Sequence, residues 1–496
     1  VLRGLVLAVV VAVAAAGTAV AAPVTAAGPG ALHDYAAEFA VPGAVAVVVT
    51  GGPQGRATTV PYGRTSDGDP VTGDTPFRIA SMSKAFTALA VQRLAEQGRL
   101  DLDGPVAAAL PGFAVADPRG QRMTVRHLLT HTSGLSDADV DEFALPPQES
   151  AAALVQRLRG LPLAAEPGTR FEYLNANYVV VARLVEVVTG RPFGDHLADA
   201  VFRPLGMDRT VATDRCDAAV PGLARGHVGA YGVQVPAPEI PSLCAGDGGI
   251  VTTADDLTRW LRFRLGDGTV PGGARLVGAA AMRDAVTPAP ATGGYGLGWG
   301  IEDRAGGRVL AAHSGAIGTA SSAITISSAG SGAFVLTNGR GAPALLAGQF
   351  VDGADGVDPG PPVTDPMRRI DLTLLGVTVL LAAGLLAAVL RAPGRARRLA
   401  GRRRTVSLPV LAVLAGLVLL PAVAAASGVV STTAWVYAFW LVPAAGVLAV
   451  VLVAGGLAAL AARGSARWRV RRSGAVGAGA HPVLHDVEDG VKVVHR

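Results

Sequence analysis

Residues 43–50 (GAVAVVVT) are apolar or β-branched at successive positions, a pattern that predicts a strand buried on both faces. Gly51-Gly52-Pro53 ends it, and residues 57–62 supply a hairpin partner. The period then changes. From Ser81 to about Gln97, Met82, Phe86, Leu89, Val91 and Leu94 recur at helical spacing, and Gly98 is placed to stop the helix. Ser81 therefore falls in or next to the first turn of a buried helix. A second helix is predicted over 176–189, and Asp255 and Asp256 are placed to cap a third. Residues 308–314 (RVLAAHS), 319–328 and 332–338 (GAFVLTN) read as consecutive antiparallel strands.

Beyond residue 366 the pattern loses its polar half. Residues 372–390 form an uncharged apolar run, and 405–462 contain no charged side chain. A bilayer crossing takes about 20 residues, so three spans are expected: 372–390, about 406–426, and 435–462. Residues 427–433 would join the last two. The Pro/Gly/Asp stretch 351–366 reads as a linker. At the other end, residues 1–22 have the form of a secretory signal peptide. Arg3 precedes an apolar run from Leu5 to Ala16, and Ala19-Val20-Ala21 fits a small-x-small cleavage site. The expected domains are thus a signal peptide (1–22), an exported domain (31–350), the linker (351–366), a membrane region (367–463) and a cytoplasmic tail (464–496).

Charge sharpens this layout. The 496-residue chain carries a net +5, but residues 1–366 hold 27 basic and 34 acidic side chains, and the remainder holds 16 basic and 4 acidic. The basic excess belongs to the apolar region. Arg391, Arg395, Arg397, Arg398 and Arg402–Arg404 follow the first span, and Arg463, Arg467, Arg469, Arg471 and Arg472 follow the third. Positive loops stay in the cytoplasm. That places the large domain outside the cell membrane and the tail inside, and it argues against a nucleic-acid-binding face. The two cysteines, Cys216 and Cys244, form no Cys-x-x-Cys or Cys/His cluster, so no zinc or other metal site is indicated. They are read equally well as one disulfide or as two buried thiols.

The candidate chemistry centres on Ser81-Met82-Ser83-Lys84. A serine hydroxyl is a weak nucleophile until a base takes its proton. A lysine three residues on lies on the same helix face, and a desolvated amine gives up its proton more readily than one in water. A helix N-terminus also offers free N–H groups for an oxyanion. The spacing alone is common, but the whole chain has only two lysines, Lys84 and Lys492, every other cation being Arg. A chain so biased to Arg that keeps Lys here points to a need for an amine able to lose its proton, which Arg does not do.

With two further motifs the sequence resembles the serine β-lactamase and penicillin-binding-protein superfamily, in its class C β-lactamase, D,D-peptidase and family VIII esterase branch. Tyr173-Leu174-Asn175 looks like the Tyr-x-Asn motif, and His313-Ser314-Gly315 like the third, Lys/His-x-Gly, motif. Accessory stretches agree: HLLTHTSGL (127–135), GGIVTTADDL (248–257) and GYGLGWGI (294–301). The resemblance spans about Leu32 to Phe350. It implies an α/β (α+β) fold, with a five-stranded antiparallel sheet flanked by helices and an all-helical subdomain. It implies a cofactor-free serine hydrolase in which Ser81 is acylated while Lys84 and Tyr173 manage the proton. Asn175 would bond the substrate amide and Lys84. The N–H groups of Ser81 and Ala316 would form the oxyanion hole, and His313 and Gly315 would line the substrate. His131 reads as a structural residue of its loop.

His313 stands where many β-lactamases and D,D-peptidases carry Lys, which moves weight from penicillin hydrolysis towards small esters, amides or D-amino-acid peptides. A second reading is a sensor that binds penicillin or cell-wall fragments with slow turnover. A transporter is disfavoured because the spans lack charged side chains. The expected partners are a small-molecule or peptide substrate and the membrane; oligomeric state is left open.

Overall fold

The structure is a computed structural model. It describes residue 28, residues 30–140, 150–392 and 443–477, and six positions between 409 and 416. The elements follow in chain order. Helix α1 (Gly30–Glu38) leads into strands β1 (Gly43–Thr50), β2 (Arg56–Gly63) and β3 (Phe77–Arg78). A 3₁₀ turn (Ala80–Met82) and helix α2 (Ser83–Glu96) come next, then α3 (Val106–Ala109), α4 (Val125–Leu129), α5 (Ala151–Leu158), α6 (Asn175–Thr189) and α7 (Phe193–Leu197). After them stand β4 (Val211–Ala212), β5 (His227–Ala230), β6 (Val233–Pro236), β7 (Ile250–Thr252), α8 (Ala254–Leu265) and α9 (Ala279–Ala285). The chain then enters β8 (Gly300–Arg304), β9 (Arg308–Ala316), β10 (Ser321–Ser327), β11 (Gly332–Thr337) and α10 (Pro343–Ala354). The apolar helices α11 (Pro366–Leu390) and α12 (Pro443–Gly477) follow.

The main sheet is antiparallel with the order β2-β1-β11-β10-β9-β8. It therefore has six strands, not the five expected. The added strand, β8 (GIEDR), is an edge strand with charged, exposed residues. Charge protects an edge from pairing with another chain, and it also erases the apolar alternation that would reveal a strand. Strand β1 shows why the central strands read clearly. Val45, Val47 and Val49 face the larger core, which contains Phe86, Trp260 and Phe334 from α2, α8 and β11. Ala44 and Ala46 face the other core, with Leu32 and Tyr35 of α1 and Leu346 and Phe350 of α10. Alternate side chains thus bury both faces. Helices α3–α7 form the helical layer beside this sheet.

Three local readings change. Thr253, not the aspartates, caps α8: its hydroxyl accepts from the Asp256 N–H at 3.2 Å. The buried Asp256 carboxylate instead accepts from the Arg209 N–H and the Thr210 hydroxyl and pairs with Arg259, which ties the loop before β4 to α8. Cys216 and Cys244 are joined as a disulfide, with Cα atoms 5.2 Å apart. Helix α10 runs to Ala354, into the stretch read as linker.

Contacts divide the chain in two, and α11 from Leu374 onward and α12 from Ala445 belong to the second unit. Two segments of these helices, Ile370–Leu390 and Val447–Ala466, are long and apolar enough to cross a bilayer. They correspond to the first and third expected spans; α12 continues as helix beyond the expected exit point, to Gly477. The expected signal peptide, most of the middle span, the loop 427–433 and the tail beyond residue 477 lie outside the described residues.

The fold converges where β9 meets the turn before α2. The Ser322 hydroxyl of β10 donates to the Ile79 carbonyl at 2.7 Å, and Ile79 N–H donates to the Ile250 carbonyl at 3.1 Å. Gly315, opposite Ser322 in the sheet register, touches the same turn: a Cβ there would lie 2.2 Å from the Ile79 oxygen. Gly315→Ala should therefore destabilise the domain by about 2–3 kcal/mol, as overpacking against backbone does. Urea unfolding of the variant beside wild type measures it, and an unchanged midpoint would contradict the tight junction.

Candidate active site

The turn that carries Ser81, the expected nucleophile, is held in an unusual backbone. Ala80 has φ +46°, a left-handed conformation that a side chain disfavours. Such strain persists where surroundings over-determine it, and here they do. Ile79 is fixed on both sides as described, and the Ser83 hydroxyl accepts from the Ile250 N–H at 3.1 Å. Ser81 thus projects from a rigid 3₁₀ turn at the start of α2. Lys84, in the first turn of α2, has no solvent exposure at all.

The environment of Lys84 defines the site. Its Nζ donates to Ser81 Oγ at 3.1 Å, to Asn175 Oδ1 at 2.7 Å and to the Asp247 carbonyl at 3.0 Å. These partners come from the nucleophile turn, from the start of α6 and from the turn that follows Cys244. The Tyr173 ring lies 4.9 Å from Nζ and the Tyr178 ring 5.5 Å, both within cation–π range. Tyr173 is 39% exposed and sits at the mouth of the site, whereas Tyr178 is buried and donates to the Leu129 carbonyl at 2.8 Å.

His131, expected to be structural, positions the second motif. It is buried with φ +56°, and its Nδ1 accepts from the Leu174 N–H at 3.1 Å. Its carbonyl accepts from Glu172 N–H at 2.8 Å. The residues flanking Tyr173 are thus both anchored on His131. Burial pushes its imidazole well below the usual range, and the charge of Lys84 adds to this, so the ring is neutral.

His313 lies on β9 and is also buried. Its Nδ1–H donates to the Ser314 carbonyl at 2.7 Å, so Nε2 accepts from the Tyr295 hydroxyl at 3.0 Å. Burial first, then the Lys84 charge, lowers its pKa to about 4. His313 is therefore a neutral ring turned to Tyr295, not a cation awaiting a carboxylate. Gly315 and Ala316 complete β9 beside the nucleophile turn, with Ala316 opposite Ser321. The expected site residues Ser81, Lys84, Tyr173, Asn175, His313, Gly315 and Ala316 are thus brought together from three separate stretches of chain.

The Beta-lactamase family profile matches residues 30–354, about two thirds of the chain. The chain belongs to this family. Its relatives include penicillin-binding protein 4 of Amycolatopsis lactamdurans, 34% identical over 63% of this chain and 85% of that protein. Esterase EstB of Burkholderia gladioli is 34% identical over 47% of this chain and 67% of its own length. Among solved structures, a penicillin-binding protein homologue from Pyrococcus abyssi superposes with a TM-score of 0.58 and 26% identity, covering 69% of this chain and 79% of that one.

Two residues of this family member's site escaped single-residue reading. Tyr295 lies within GYGLGWGI, a stretch noted only as a family resemblance, and its ring packs 5.1 Å from His131 and 6.0 Å from His313. Asp247 precedes the Gly248-Gly249 pair and gave no periodicity or spacing signal.

The depressed His313 pKa has a sign. Between about 6.5 and 4 the unfolded chain binds a proton at this position that the folded protein refuses, so stability falls as pH drops through that window. His313→Gln should flatten the loss of melting temperature between pH 6.5 and 4. An unchanged slope in thermal unfolding curves would contradict the neutral, buried ring.

Proposed function

We propose that this protein is an exported, membrane-anchored serine hydrolase that acts through an acyl-enzyme on an ester, an amide or a D-amino-acid peptide. The observation that carries the reading is the three-acceptor cage around Lys84. Two of the acceptors, the Asn175 amide oxygen and the Asp247 carbonyl, have no proton to give. When the amine is neutral, its two N–H groups stay on them, and its lone pair points at the third neighbour, the Ser81 hydroxyl. The cage therefore suits a base aimed at one proton.

In the proposed cycle the Ser81 proton passes to the Lys84 amine as Oγ bonds to the substrate carbonyl carbon. The N–H groups of Ser81 and Ala316 hold the oxyanion, in keeping with the β9 strand end lying against the nucleophile turn. On collapse, the leaving alcohol or amine takes a proton from the Lys84 ammonium by way of the Tyr173 hydroxyl. Water then repeats the sequence on acyl-Ser81 and frees the acid. The neutral His313–Tyr295 pair supports a polar but uncharged wall, which favours uncharged esters and amides over a free carboxylate.

The penicillin-binding and esterase names of relatives agree with this substrate range. Membrane anchoring is supported by the two apolar helices, and the outward orientation by the Arg clusters that follow the expected spans.

The test is labelling by a fluorophosphonate, followed by turnover of short-chain esters and D-Ala-D-Ala peptides by the full chain in detergent. Ser81→Ala should abolish labelling and lower kcat by roughly 10⁴-fold or more. Equal labelling of the variant would sink the proposal. A single stoichiometric acylation without continued product release would favour the sensor reading instead.

A further inference from the structure

Asp247 does more in this site than lend its carbonyl. The residue is 6% exposed, and its carboxyl oxygen Oδ1 is buried without a hydrogen-bond partner. An aspartate in a turn ordinarily uses its side chain to bond nearby backbone N–H groups. The turn here closes by other means: Gly248 N–H and Gly249 N–H both donate to the Cys244 carbonyl, at 3.2 and 2.9 Å. The carboxyl is therefore not needed to make the turn. Burying a carboxyl without a full set of partners is costly, so its presence at this position calls for a reason.

The neighbouring charges supply one. Lys84 is fully buried and bonded to this residue's own carbonyl at 3.0 Å, and it is the charged group that acts on the carboxyl. Burial pushes the Asp247 carboxyl up to about 6, while Lys84 and its own backbone N–H pull it back. The other titratable groups around Lys84 are His131 and His313, both held neutral, and the phenols Tyr173 and Tyr178. A carboxylate here is opposite in sign to an ammonium at Lys84, and the two neutral imidazoles carry no charge to offset it.

We propose that Asp247 is a positioning residue for acylation: its carboxylate holds Lys84 in the ammonium form and so sets the pH above which the Lys84 amine takes the Ser81 proton. This rests on the serine hydrolase reading, which the test keeps separate. The device makes the nucleophile pH-gated, since Lys84 becomes a base only above the pH at which the ammonium beside the carboxylate gives up its proton. No atom beyond the Ser81 proton moves in the step. Asp247 exchanges nothing covalently and acts through charge.

The experiment uses the scarcity of lysine. Lysine labelled with ¹³C at Cε, incorporated into the full chain in detergent, gives two signals, from Lys84 and Lys492. Lys492→Arg assigns them. Asp247→Asn keeps the backbone carbonyl and nearly the same shape, and removes only the charge. The Lys84 signal should titrate at a pH lower by about one unit or more in the variant, as loss of a neighbouring opposite charge implies. The acid limb of the acylation rate should move with it, making the variant roughly tenfold faster than wild type below that limb. Asp247→Ser, smaller and also neutral, serves if the asparagine variant melts early. An identical Lys84 titration in wild type and a folded neutral variant would overturn the proposal. A wild type that is never labelled at Ser81 would instead sink the hydrolase reading, and the lysine titration would still decide the Asp247–Lys84 coupling.

Discussion

A buried ammonium must have its donors met, and in this protein that requirement organises the site. Lys84 has no contact with solvent, so its three N–H groups need acceptors inside the fold. They find Ser81 three residues before it, Asn175 ninety-one residues on, and Asp247 one hundred and sixty-three residues on. No local segment assembles that set. The turn before α2, the start of α6 and the turn after Cys244 each deliver one acceptor, and the geometry holds only while all three stay in place.

Much of the remaining architecture serves this junction. The three short strands β3, β7 and β4 fix the residues leading into Ala80, whose left-handed backbone turns Ser81 away from its strand. His131 clamps both sides of Tyr173, so that Asn175 opens α6 facing Lys84. The Cys216–Cys244 disulfide lies at the base of the turn that carries Asp247. Gly315 lets β9 approach the nucleophile turn more closely than a Cβ allows. Each of these features fixes the backbone, and the side chains of the proposed chemistry stand at their ends.

The sequence made the buried parts legible and the polar parts less so. Strand β1 and helix α2 announce themselves because burial imposes a period on their apolar residues. The motif serine and lysine became legible through an anomaly of composition, the near absence of other lysines. Strand β8 did not, because an edge strand carries charge where the pattern expects an apolar face. Thr253 is hidden as a cap beside two aspartates, since capping is decided by backbone geometry that the residue types alone do not fix. The motif of His313 points to a group that faces substrate; its burial and its bond to Tyr295 depend on a stretch eighteen residues away. Asp247 was invisible because its role arises only when the turn folds back on Lys84.

The neutral imidazole also revises what the site offers. With His131 and His313 uncharged, Lys84 is the basic group at the centre of the constellation, and in the proposed cycle it takes the Ser81 proton. The most direct measurement is the pre-steady-state acylation rate of Lys84→Arg with an activated nitrophenyl ester, taken alongside a melting curve to show that the variant folds. Arginine keeps the positive charge and supplies donors but has no lone pair to offer at any accessible pH. If the proton of Ser81 passes to Lys84, acylation falls by about 10³-fold, in the range that general-base catalysis contributes. A folded Lys84→Arg protein that acylates within about tenfold of wild type would contradict the account, because charge alone would then suffice.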